Sequence, residues 1–136
     1  MHTYPRPLPD TDNRLYLPYI QGLKKQLLLV QKCLHCADLQ WPPREFCPSC
    51  NKSEFDWIEV QQEGEVYTYS IVYRAPHPWF NSKVPYGIVI VELENGVRMI
   101  GNYFEEDVEN IECGMKMKAQ FEHVNDDITV LKWKKV

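Results

Sequence analysis

Five cysteines occur in the 136-residue chain, and four of them fall into two tight pairs. These are Cys33-Leu34-His35-Cys36 and Cys47-Pro48-Ser49-Cys50, with ten residues between the pairs. Each pair offers two thiolates from one turn. Two such turns, folded together by the segment between them, make a tetrahedral cage of soft donors, which is how zinc is held in closed structural sites. Iron fits the same four sulfurs. Four protein ligands leave no open position on the ion, so the expected metal is structural rather than catalytic. A redox C-x-x-C would be a single pair between a strand and a long helix. Here there are two pairs and no such helix pattern. The residue after the second cysteine of each knuckle often needs positive φ, and those positions hold Ala37 and Asn51 rather than glycine. His35 reads as a solvent-facing turn residue, and the lone Cys113 as a small buried or edge thiol.

A second place for chemistry is the loop over residues 75–85, with Pro76, Pro78, Pro85, His77, Trp79 and Phe80. Long loops tend to be functional. This one reads either as a ligand or partner contact or as a cap on the domain below it. No phosphate-cradling glycine loop, nucleophile elbow or H-E-x-x-H helix is present in the sequence.

The elements that must position these residues follow from the pattern. Thr11 or Asp12 is the expected cap of a short helix over residues 13–25, kinked at Pro18. The first ten residues read as an extended, poorly anchored tail. QLLLVQK (26–32) is an expected strand leading into Cys33, and FDWIEVQQ (55–62) another, with Phe55, Trp57 and Val60 as its core residues. VYTYSIVYR (66–74), YGIVIVELE (86–94) and VRMIGNYF (97–104) are rich in β-branched and aromatic residues. Asn95-Gly96 is a strong hairpin signal. Residues 105–111 read as one or two acidic helical turns. Met115, Met117, Ala119 and Phe121 alternate with polar residues as a half-buried strand. ITVLKWKK (128–135) has apolar residues of both parities, which predicts a bulge or a two-sided strand. The fold class is therefore mainly β: an N-terminal helix, a rubredoxin-like zinc ribbon, then a five-stranded OB-fold barrel with a short helix after its third strand. The expected divisions are 1–25 for tail and helix, 26–60 for the ribbon and 61–136 for the barrel.

Composition narrows the function. Hydrophobic residues are 44% and charged residues 25%, enough for a packed core. Fifteen Lys and Arg stand against 19 Asp and Glu, a net charge of −4. Nucleic-acid binders draw most of their affinity from phosphate neutralisation, so this balance argues against that class. The alternative stays open because ribbons and OB-folds both serve single-strand binding, with Tyr67, Tyr69 and Tyr73 as stacking candidates. The N-terminal MHTYPRPLPD has no apolar stretch of a signal peptide, and the longest aliphatic run is Leu27–Val30. A cytoplasmic protein with no membrane partner is expected.

Together these parts resemble a known family. The helix, the first knuckle, Trp41-Pro42-Pro43-Arg44 and the second knuckle are followed by FDWIEV, Gly64-Glu65-Val66-Tyr67-Thr68-Tyr69, Pro85-Tyr86-Gly87-Ile88-Val89 and Cys113-Gly114-Met115-Lys116-Met117. Over roughly residues 12–125 this is similar to the small zinc-ribbon plus OB-fold proteins associated with acyl-CoA metabolism, formerly a domain of unknown function. It departs from their pattern at Ala37, Asn51 and Gln62 and in the C-terminal Trp133-Lys134-Lys135-Val136. The resemblance implies an accessory subunit, not itself an enzyme, that completes or stabilises a thiolase-like partner or a hot-dog hydratase, with acyl-CoA as ligand and one structural zinc. It implies that Trp41, Pro42, Pro43 and Arg44 lie on the ribbon surface, and that Tyr73, Trp79, Phe80, Lys83 and Tyr86 line the barrel mouth. A CoA site needs cations for its phosphates and an aromatic or apolar face for adenine; Arg44, Lys83 and Arg98 are the candidate cations.

Overall fold

A computed structural model describes residues 5–136. Its elements are one helix, a small three-stranded sheet and a closed five-stranded barrel. Helix α1 spans Leu17–Lys24, with Pro18 in its first turn. There the missing amide costs nothing, because first-turn amides have no helical partner. Pro18 thus starts the helix instead of kinking it, and the expected cap at Thr11 or Asp12 does not form. The chain turns out of the helix at Gln26, which takes φ 61°. No helix among the described residues is long and apolar enough to cross a membrane.

The small sheet has the order β2-β1-β3, with β1 at Leu29–Cys33, β2 at Leu39–Gln40 and β3 at Phe55–Glu59. Strand β1 starts later than the apolar run suggests because Gln26 is still in the helix exit. Of the three expected core residues of β3, Phe55 and Trp57 are half-buried. Val60, just past the strand, is 2% exposed.

The barrel comprises β4 (Glu63–Val72), β5 (Tyr86–Glu92), β6 (Arg98–Tyr103), β7 (Lys116–His123) and β8 (Thr129–Lys135). Its order is β4-β5-β6-β8-β7, closed by pairing of β7 with β4. All pairs are antiparallel except β6 with β8, which run parallel through Asn102 and Lys132. This is the Greek-key order of an OB-fold, with a single 3-10 turn, Val108–Asn110, between the third and fourth barrel strands. Asn95 (φ 55°, ψ 27°) and Gly96 (φ 75°) form the β5–β6 hairpin as a type I′ turn, and the Val97 amide donates to the Glu94 carbonyl. Pairing of β4 with β5 shifts between Val66 and Thr68, a bulge at Tyr67.

No bulge interrupts β8. Its register with β7 runs unbroken from Thr129 opposite His123 to Lys135 opposite Met117. It is two-sided because Leu131 and Trp133 are buried while half-buried Val130 lines a groove beside α1; Ile128, also buried, precedes the strand. Trp133 is 1% exposed and needs Gly101 opposite it: a Cβ there would sit 2.8 Å from the indole nitrogen. Gly64 is equally constrained, since its Cβ would lie 2.1 Å from the Glu92 carbonyl oxygen. Leu23, Leu28, Val30 and Val60 join Val66, Val89, Met117 and Trp133 in one continuous core, so helix and ribbon are packed onto the barrel.

Candidate metal centre and aromatic–cation surface

Both knuckles are closed by backbone bonds. The Ala37 amide donates to the Cys33 carbonyl at 2.9 Å, and the Asn51 amide to the Cys47 carbonyl at 2.8 Å. Ala37 and Asn51 take φ 65° and 63°, the left-handed conformation anticipated for those positions. The turns bring the Sγ atoms of Cys33, Cys36, Cys47 and Cys50 within 4.8 Å of one another. Cys33 Sγ lies 3.5 Å from Cys50 Sγ, and Cys36 Sγ 3.6 Å from Cys47 Sγ. A disulfide would need about 2.05 Å. Tetrahedral ligation with Zn–S bonds of about 2.3 Å places sulfurs ~3.8 Å apart, close to what is found.

Charge points the same way. The amides of Cys36 and His35 aim at Cys33 Sγ and hold it below the usual thiol range. Burial opposes ionisation of Cys47, but the amides of Cys50 and Ser49 and the neighbouring sulfurs bring it down to about 6. At Cys36 the Asp38 amide favours the thiolate, yet burial and the three other sulfurs push it up to about 12. Four thiolates this close cannot all ionise unless a cation sits among them. A zinc ion there satisfies all four and ties the two turns together. His35 is exposed, with Nε2 3.5 Å from Glu54, and is not part of the tetrad. Cys113 is exposed, not buried.

The remaining predicted residues separate into three places. Trp79, Phe80, Lys83 and Tyr86 gather at one end of the barrel. Phe80 stacks on Tyr86 with centroids 4.9 Å apart, and Trp79 meets Phe80 edge-on at 4.9 Å. Lys83 Nζ lies 5.0 Å from the Trp79 centroid and 5.8 Å from that of Phe104. Four partners in this cluster were not anticipated: Arg6, Phe104, Glu122 and Lys132. Arg6 lies 4.5 Å over Trp79 and its guanidinium donates to Glu122 at 2.5 Å. Lys132 reaches the other Glu122 oxygen at 3.3 Å. Burial works against the Glu122 carboxylate, but Arg6 and then Lys132 hold its pKa below the usual range. The described part of the N-terminal tail is therefore anchored at Arg6, contrary to expectation, because a cation on an aromatic face beside a carboxylate is worth more than free rotation. Phe104 carried a readable signal, an aromatic closing the apolar run 97–104, and it lies just past β6 against Tyr86. Arg6 carried none.

Tyr73 is 62% exposed. Partial desolvation and the Glu109 carboxylate beside it raise its pKa. Arg98 sits at the far end of β5 and β6, a strand length of ~20 Å from Tyr86. It bonds Glu92 at 2.9 Å and covers Tyr67 at 3.7 Å. On the ribbon, Trp41 packs against Tyr19 at 4.2 Å, Pro43 is buried, and Pro42 and Arg44 are exposed. Buried Gln31 pins this loop: its Oε1 accepts from the Arg44 amide at 2.8 Å and its Nε2 donates to the Arg44 carbonyl at 3.1 Å.

Comparison with known proteins follows the same two parts. Residues 21–56 match the ChsH2 rubredoxin-like zinc ribbon domain, and residues 57–122 match the ChsH2 C-terminal OB-fold domain. The chain is 37% identical over 105 residues to a DUF35 domain-containing scaffold protein of Methanocaldococcus jannaschii, covering 76% of this chain and 74% of that one. It is 31% identical to a probable enoyl-CoA hydratase alpha subunit of Thermomonospora curvata, covering 93% of this chain but 38% of that protein. It is 23% identical to the benzoylsuccinyl-CoA thiolase subunit BbsA of Geobacter metallireducens, covering 87% and 74%. Among solved structures, a chain of the Ltp2-ChsH2(DUF35) aldolase superposes with a TM-score of 0.83 at 28% identity, covering 93% of this chain and 98% of that one.

Proposed function

The chain belongs to the family of the ChsH2 zinc ribbon and OB-fold domains, and from that membership we propose that it is a non-catalytic cytoplasmic subunit that completes or stabilises a thiolase-like enzyme, or a hot-dog hydratase, acting on acyl-CoA. One observation carries the reading. The likeness to a chain of the Ltp2-ChsH2(DUF35) aldolase extends over 98% of that chain, so ribbon, helix and barrel are shared as one unit. The zinc fits this role as a structural ion, because its four ligands come from the chain itself.

The barrel end at Trp79 is the surface we assign to the acyl-CoA and its enzyme. Lys83 is exposed and lies over two aromatic faces. A phosphate-binding cation beside a stacking platform is what the nucleotide end of CoA requires. Arg44 is a second exposed cation, on the ribbon. Arg98 is the weakest of the three candidates, since Glu92 and Tyr67 already engage it.

The test is co-expression with a thiolase-like enzyme from the same genome, followed by size-exclusion chromatography and assay with and without it. A stable complex with raised activity is expected. Replacing exposed Lys83→Glu together with half-buried Trp79→Ala should weaken the complex or its CoA affinity more than tenfold while zinc content stays at one per chain. A chain that stays monomeric beside the enzyme, and that gives no heat with acyl-CoA in calorimetry, would remove the proposal. Steeply salt-dependent binding to oligonucleotides would favour the nucleic-acid reading instead.

A further inference from the structure

On the outer face of the barrel lies a groove of about 610 Å³ that shares no wall residue with the Trp79 cluster. Its floor is the outward face of β5, β6 and β8, carrying Ile88, Ile100, Asn102 and Val130; α1 contributes Tyr19 and the ribbon contributes Trp41. Three separate elements therefore converge on one cleft. Its size falls in the range of small-molecule sites, roughly 300–1,000 Å³. Ile100 stays 58% exposed there, although an outward position on a barrel strand is ordinarily polar.

Polar groups come to these walls from Asn13, Tyr16, Tyr19, Asn102 and Thr129; Tyr19 lies on α1 and Asn102 on the floor strand β6. The Tyr19 hydroxyl bonds to no described residue, and the surrounding burial raises its pKa above the phenol range. It is therefore a neutral donor at any ordinary pH. The Asn102 amide makes one long bond, donating to the Gly87 carbonyl at 3.5 Å. Asp10, exposed at the rim, is the sole charged residue among those lining the groove. An anion entering would lose its hydration and meet no cation. An ammonium would find Asp10 only at the solvent edge, where ion pairing is weak.

We propose that this groove binds an uncharged, largely apolar small molecule bearing one hydrogen-bond-accepting oxygen, such as a ketone, which Tyr19 O–H and the Asn102 amide hold. The apolar body lies on Ile88, Ile100 and Val130, and the Trp41 indole closes one side. This site is independent of the acyl-CoA reading, whose ligand is anionic and whose assigned residues lie elsewhere.

A matched set of probes tests it on the full, zinc-loaded chain. 4-Phenylbutan-2-one, butylbenzene, 4-phenylbutanoate and 4-phenylbutylamine share a phenyl-bearing four-carbon chain and differ in the polar group it carries. Followed by ¹H–¹⁵N NMR, the ketone should saturate one site and shift the Trp41 indole and the Ile100 and Asn102 amides. It should bind at least about fivefold more tightly than either charged analogue. Tyr19→Phe should weaken the ketone by about fivefold and leave butylbenzene unchanged, the loss of one hydrogen bond. Ile100→Arg, at an exposed position, should block all four probes without altering the rest of the spectrum. The proposal is overturned if shifts scatter outside the groove, if a charged analogue binds as tightly as the ketone, or if Tyr19→Phe leaves the ketone's advantage over butylbenzene intact.

Discussion

The ribbon and the barrel hold short stretches of chain in place by different physics. The ribbon has a two-residue strand, β2, and a loop of more than a dozen residues before β3. Its apolar residues Leu28 and Val30 face the barrel rather than one another. Without metal, its two cysteine turns are joined by short-strand pairing and a few single bonds, such as the Leu34 amide to the Glu54 carbonyl and Gln31 to Arg44, around four thiols within 4.8 Å. The barrel leaves no free edge, and Trp133, Tyr103, Met99, Met117, Val89 and Val91 fill its core at 0–1% exposure. One region is ordered by a single strong point, the other by many weak contacts spread over a closed surface. The first should fail all at once, the second by degrees.

Metal removal tests this most severely. Structural zinc supplies an apparent ~10–16 kcal/mol in zinc-finger peptides at neutral pH. Chelation, or Cys47→Ser, should therefore collapse the amide dispersion of residues 33–54 while β4–β8 keep slow hydrogen exchange. Elemental analysis should give one zinc per chain before treatment. Exchange protection lost equally in both regions would erase the distinction drawn here. Within the barrel, Trp133→Ala should cost about 3–5 kcal/mol, as large aromatic truncations in cores do. The zinc should stay bound, read from metal content at a denaturant concentration where the variant is still folded.

Acid should separate the regions again. The Asp107 carboxylate accepts from Lys135 at 2.7 Å and from the Tyr103 hydroxyl at 2.5 Å, and those bonds lower its pKa. A carboxyl whose folded pKa is depressed stabilises the fold above its unfolded pKa, near 4, and that contribution fades as pH falls through the folded value. Denaturation midpoints of the barrel, read by Trp133 fluorescence in a variant lacking the other tryptophans, should fall below about pH 4. Asp107→Asn should flatten that decline and leave the midpoint at pH 7 only slightly lowered, because Asp107 is a third exposed and Lys135 nearly half. An unchanged slope would mean the Lys135–Asp107–Tyr103 chain does not tie β8 to the β6–β7 connection.

The legibility of the two regions differed for the same reason. Knuckles and hairpins are local, so residue identity reveals them: Cys spacing located the tetrad, Asn95-Gly96 located the I′ turn, and Ala37 and Asn51 could be marked for positive φ. Strand order was also readable, since alternation and turn residues leave few ways to close five strands. Contacts made across the fold were not. Arg6 is 116 residues from Glu122, and no pattern in a proline-rich tail announces such a pairing. Pro18 misled because proline breaks a helix interior but suits a first turn, and the true start depended on where the tail was anchored. Arg98 was grouped with Lys83 on residue type alone, and β-strand length put them at opposite ends.

The smallest effect bears most directly on how the ribbon is held. Ala37 occupies φ 65°, a conformation that costs an L-residue roughly 1–2 kcal/mol. Ala37→Gly relieves that strain, but glycine loosens the unfolded chain by about 0.5–1 kcal/mol. The net expectation is a gain of up to about 1.5 kcal/mol. If the zinc alone set ribbon stability, the turn would be held regardless and the change would vanish in the holo protein. If strain is shared between backbone and metal, the substitution should slow zinc transfer to a competing chelator severalfold and leave the barrel midpoint unmoved. Asn51, at φ 63°, is the internal control: asparagine tolerates this region, so Asn51→Gly should change the transfer rate less than Ala37→Gly does. Equal effects at the two knuckles would mean that the alanine is not strained and that the ribbon resists opening through its metal bonds alone.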